Sequence, residues 1–115
     1  MIDLAPAHFA IVRDILRHHV PDREVRAFGS RVRGNARPTS DLDLVIMTDE
    51  PLDPALQADL SEAFSEAPLP FKVDVVDWAV CDEAFRAIIN ENSLPVQRRT
   101  DHRGSGTSGG SDDSA

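Results

Sequence analysis

The sequence predicts an α/β (α+β) domain. Two observations carry this: three stretches hold apolar residues at helical period, and two apolar-rich runs of strand length fall between them. Proline or glycine punctuates the joints. In chain order, Pro6 to Val20 places Phe9, Val12, Ile15 and Leu16 on one helical stripe, and Pro21 closes it. Arg26-Ala27-Phe28 then runs into a Gly29-Ser30 turn. Asp41-Leu42-Asp43-Leu44-Val45-Ile46-Met47 reads as a strand. Asp53 supplies an N-cap and Pro54 the first helical position of a second helix, in which Leu56, Leu60, Ala63 and Phe64 are apolar and which ends before Pro68. Phe71 to Asp77 reads as a second strand. A third helix spans 81–91, with Ala84, Phe85, Ile88 and Ile89 apolar and Asp82 and Glu83 in its first turn. From Arg98 the chain turns to Gly, Ser and Asp without apolar period, so 98–115 is expected to be a disordered tail.

The chemistry concentrates at Gly29-Ser30 and at the Asp residues of the two strands. Glycine lets the backbone approach a ligand closely, and turn amides together with the Ser30 hydroxyl suit phosphate oxygens. In a strand, residues i and i+2 share a face, so Asp41 and Asp43 stand together while Leu42 and Leu44 turn the other way. Two such carboxylates repel and raise one another's pKa unless a cation lies between them. Mg²⁺ suits them, because it takes one or two carboxylates and fills its other positions with water and phosphate. The second strand offers Asp74 or Asp77 as a third carboxylate. Asp74 is the choice, since it sits mid-strand among apolar neighbours where an unpaired charge would be costly. Asp77, at the strand end, is expected to solvate that end or cap the next segment. Each feature alone has a plainer reading, as an ordinary turn or a solvated strand edge. Their combination points to a nucleoside-triphosphate site.

Gly-Ser, ten residues, Asp-x-Asp and a later strand Asp, set in Phe28-Gly29-Ser30-Arg31-Val32-Arg33-Gly34, resemble the nucleotidyltransferase superfamily of the DNA polymerase β type. The context is most similar to its minimal nucleotidyltransferase (MNT) branch, and the resemblance covers roughly residues 8–95. It implies a polymerase β-like fold, a mixed β-sheet with helices packed mainly on one side, and the change of composition at Arg98 bounds the domain to residues 1–97. It also implies that Gly29 and Ser30 cradle the triphosphate of ATP. Asp41 and Asp43 would bind two Mg²⁺, and Asp74 would share one and help activate the acceptor hydroxyl. The reaction would be attack on the α-phosphorus with loss of pyrophosphate. Arg31, Arg33 and Arg37 lie between the turn and Asp41, where they are expected to face the triphosphate or an incoming partner, with Arg31 and Arg33 the nucleotide-binding candidates.

Composition narrows the partners. A chain of 115 residues has room for one domain and a modest core. Its net charge of −8 argues against general nucleic-acid binding, which needs Lys and Arg to displace counterions. Cys81 is alone, so it forms no intrachain disulfide and no zinc site. No apolar run approaches the roughly 20 residues that span a bilayer, and the N-terminus lacks a basic-then-apolar leader, so a cytoplasmic protein is expected.

With no second domain for an acceptor, another protein would supply it. MNT proteins are commonly paired with a HEPN-domain toxin ribonuclease and act as its antitoxin by adding AMP to a tyrosine hydroxyl. The chain fits that class by resemblance, and it contains no Tyr of its own to modify. Two alternatives stand beside it. One is a non-catalytic antitoxin that neutralises its partner by contact. The other is a nucleotidyltransferase for a small molecule or RNA end, with dimerisation completing the pocket. Homo- and hetero-oligomers are both open. Carboxylates held together at a cost weigh against the pure binding module.

Overall fold

Side-chain alternation along the strand Leu42–Met47 decides how the layers stack. A computed structural model of the protein describes residues 2–99. Most of the expected 98–115 tail, from Thr100 on, lies outside the described residues. Four strands, β1 (Glu24–Phe28), β2 (Leu42–Met47), β3 (Val73–Asp77) and β4 (Ser93–Gln97), form one sheet in the order β3-β2-β1-β4. β1 runs antiparallel to both β2 and β4, whereas β2 and β3 are parallel. The helices are α1 (Pro6–His19), α2 (Ser30–Arg33), α3 (Pro54–Glu66) and α4 (Glu83–Glu91).

Leu42, Leu44 and Ile46 point to one face and are fully buried there with Val12 and Leu16 of α1 and Leu60 and Phe64 of α3. Val25, Ala27 and Val96 complete that layer. Each Val, Leu, Ile or Phe among them stabilises the fold by about 1.5–3 kcal/mol. On the opposite face Phe28 and Val45 meet Ile89 and Phe85 of α4, with the Phe28 and Phe85 rings edge to face at 5.6 Å. The two long helices therefore share one side of the sheet, as expected, while α4 covers part of the other.

The expected helices and both expected strands are present. Asp53 caps α3 by accepting from the Ala55 N–H at 3.0 Å, with Pro54 following as the first helical residue. Asp82 proves to be the N-cap of α4, accepting from the Phe85 N–H at 2.7 Å, rather than a first-turn residue. The parallel pairing of β2 and β3 explains why α3 lies between them in sequence, since parallel neighbours need a crossover. β1 and β4 carry little signal in the sequence. β1 is only five residues long, and β4 contains Pro95, which strands normally exclude except at an edge.

One expectation about the β3 end needs correction. Asp77 is 4 % exposed and accepts from the Thr48 hydroxyl at 2.8 Å, the Leu52 N–H at 2.7 Å and the Gln57 side-chain amide at 3.0 Å. Its odd position on β3 turns it toward α3, where the segment joining β2 to α3 needs an acceptor. It ties down a segment that precedes it in the chain and does not solvate the strand end. Replacing it leaves buried donors without a partner. Asp77→Ala is expected to lower the unfolding free energy by about 2–4 kcal/mol, measured by urea titration.

Candidate active site

The site begins where β1 ends. Gly29 has φ 83° and ψ −156°, a conformation that L side chains rarely adopt. Its carbonyl accepts from the Val32 N–H at 3.0 Å and the Arg33 N–H at 3.1 Å, which closes the single turn of α2. A Cβ at Gly29 would overlap Oδ2 of Asp43 and lie 3.3 Å from its Cγ. The turn thus backs directly onto a carboxylate, and only glycine permits that approach.

Strand register sets the rest. Phe28 on β1 is the partner of Asp43 on β2, and Asp43 is the partner of Asp74 on β3. The three residues form one row across the sheet, on the face away from α1 and α3. Asp41 is exposed just ahead of β2, two residues from Asp43. The carboxyl of Asp43 is held above the ordinary carboxylate range, first by burial, then by the charges of Asp74 and Asp41, against a smaller pull downward from Arg33. None of the three carboxylates has a hydrogen-bond or ion-pair partner among the described residues, and the same holds for the Ser30 hydroxyl and the Arg33 guanidinium.

Asp74 joins Asp43 for a reason other than the one its sequence suggests. It is exposed, not enclosed by apolar neighbours, and the β2–β3 register brings it to the site. Asp77 lies on the other face. Among the described residues, no three His, Cys, Asp or Glu side chains are already gathered as a metal cage. Mg²⁺ does not require one, since two carboxylates with water and phosphate oxygens complete its shell. Asp43 with Asp41 or Asp74 meets that need, and their mutual repulsion is what a cation relieves.

Arg31 departs from its expected place. The side chain is 5 % exposed, and its guanidinium donates to the carbonyls of Asp3 at 2.8 Å, Pro38 at 2.9 Å, Ser40 at 3.0 Å and Arg37 at 3.3 Å. It also stacks on the Phe71 ring, 4.3 Å from the centroid. With its donors committed to these carbonyls, Arg31 fastens the loop leading into Asp41 instead of facing outward as expected. The short α2 turns neighbouring arginines to different sides, so Arg33 is exposed and near Asp43 while Arg31 is interior. Arg37 is exposed in the loop, where its backbone N–H donates to the Ser40 hydroxyl at 2.7 Å. Nothing in the sequence distinguishes the three, because the carbonyls that Arg31 gathers come from both before and after it.

A nucleotidyltransferase domain model matches residues 10–103. The chain belongs to the nucleotidyltransferase domain family. Within that family it is 48 % identical, over 98 residues, to a Haemophilus influenzae protein named "Probable protein adenylyltransferase MntA", covering 85 % of this chain and 86 % of the relative. The fold is shared with a crystal structure of a toxin–antitoxin with AMP-PNP, at TM-score 0.65 and 20 % identity, covering 76 % of this chain and 71 % of the other. It is shared also with the structure of a tri-AMPylated Shewanella oneidensis HEPN toxin in complex with MNT antitoxin, at TM-score 0.59 and 18 % identity, covering 78 % and 69 %. The sheet and helices of this nucleotidyltransferase domain are thus those of its structural neighbours.

The raised pKa of Asp43 and the positive φ of Gly29 each have a measurable effect on stability. Because the folded-state pKa of Asp43 is raised, the folded chain keeps a proton that the unfolded chain has released, so stability falls as pH rises from about 4 through the raised value. Asp43→Asn lacks this loss. In a pH series of thermal melts the variant should exceed the wild type at pH 7, with the gap closing below about pH 4. Gly29→Ala should cost about 1–3 kcal/mol in a denaturant titration, from the positive φ and the clash with Asp43.

Proposed function

We propose that this nucleotidyltransferase-family chain transfers AMP from ATP to a tyrosine hydroxyl of a HEPN-type toxin, and so acts as its antitoxin in the cytoplasm. The observation that carries the reading is the row formed by Asp43 and Asp74 with Gly29 against Asp43: like charges assembled without an ion-pair partner beside a positive-φ glycine turn. The AMP donor and protein acceptor are supported by the 48 % identical relative named for protein adenylyl transfer. The toxin is supported by neighbours that are toxin–antitoxin complexes, and ATP by the one that contains AMP-PNP.

In this reading Gly29 and Ser30 offer amides and a hydroxyl to the triphosphate, and Arg33 adds positive charge beside them. Asp41, Asp43 and Asp74 would hold Mg²⁺, two ions in all. When bound, the metal neutralises phosphate charge and stabilises the entering and leaving oxygens of an in-line displacement. Asp74, the exposed member of the row, accepts the proton of the acceptor hydroxyl. The hydroxyl oxygen bonds to the α-phosphorus, and the bond from that phosphorus to pyrophosphate breaks. With no tyrosine in this chain, a tyrosine acceptor must come from the partner.

The test is intact mass of a co-expressed HEPN-type partner after incubation with this protein, ATP and Mg²⁺. Addition of one or more AMP units is expected, with the rate reduced at least about a hundredfold by Asp43→Asn or Asp74→Asn. A partner that co-purifies but never gains mass would replace catalysis with neutralisation by contact.

A further inference from the structure

Ile2, Leu4, Pro6 and Phe9, together with Leu94 and Pro95 of β4, line an apolar groove of about 490 Å³. Past Pro95 the surface changes character, and Arg13, Arg17 and Arg98 line the adjoining depression. Phe9, Arg13 and Arg17 are spaced by four and so form one row along α1, apolar at its N-terminal end and basic at its C-terminal end. Arg13 lies over the Phe9 ring at 5.6 Å, where apolar and basic halves meet. None of the three arginines has an ion-pair or hydrogen-bond partner among the described residues.

We infer that this groove docks an amphipathic helix of the partner protein, apolar at one end and rich in Asp and Glu at the other. Three unpaired cations on one face of a chain of net charge −8 select an anionic occupant. A second copy brings another −8 and repels at long range. Residues 100–115 contain no Leu, Ile, Val, Phe or Met to fill the apolar half. A strand is disfavoured as well: β4 is an edge, and Pro95 removes a backbone donor from it. A helix laid in a groove needs only side-chain contacts. This inference rests on the reading of the chain as one that acts on another protein. β4 and β3 are opposite edges of the sheet, so the docking surface is separate from Asp43 and Asp74.

The test measures affinity of the chain for a fluorescently labelled HEPN-type toxin, alongside ATP binding by the isolated chain. Arg13→Glu/Arg17→Glu alters two exposed side chains and should weaken the complex at least about tenfold and flatten its salt dependence, with ATP binding unchanged. Leu94→Ser should weaken it through the apolar half. If the wild type never transfers AMP yet its complex depends on Arg13 and Arg17, the functional reading falls and the groove stands. If transfer proceeds and the charge reversal leaves affinity unchanged, the groove falls alone. Absence of a wild-type complex, or a homodimer that the charge reversal dissolves, also overturns it.

Discussion

The pairing of Asp43 with Asp74 across parallel strands is the constraint around which the domain is arranged. Like charges in directly opposed strand positions destabilise a sheet. Here the cost is contained by position, since Asp74 is on an edge strand and open to solvent. It is offset by the opposite face of the same strands, where Leu42, Leu44 and Ile46 are wholly buried. One face of β2 supplies stability and the other holds a carboxylate beside like charges. Stability given up at a site is a common companion of function.

The supports of that pairing come from several directions. α3 makes the parallel crossover possible, and Asp77 anchors the segment before α3 to the end of β3. Gly29 lets the β1 turn close on Asp43 without a side chain between them. Arg31 holds the loop that delivers Asp41. A displacement in any of these alters the spacing of the charges around Asp43.

Asp43 is legible in the sequence because strand alternation is a local rule that turns it away from Leu42 and Leu44, whereas Asp41 falls just ahead of β2 and is linked to Asp43 by the charge it exerts there. The helices are legible for the same reason, as apolar period and an Asp-Pro cap are written within a few residues. The hidden features depend on contacts distant along the chain. Asp74 does neighbour Asp43, but without the burial that its strand position suggests, because sequence does not state strand register. The interior place of Arg31 is invisible locally because its acceptors span Asp3 to Ser40. β4 is masked by Pro95, which only its edge position excuses.

The Arg31 clamp also makes the segment around Asp3 part of the folded unit. Asp3 contributes its carbonyl to the guanidinium, and its own N–H donates to the Arg31 carbonyl at 2.7 Å, a reciprocal pair between the leading segment and α2. Trimming the chain to begin at Leu4 would strand an interior cation short of an acceptor and loosen the loop before Asp41. Loss of Asp3 would therefore be felt at Asp41, although Asp3 lies outside the row that Asp43 and Asp74 form.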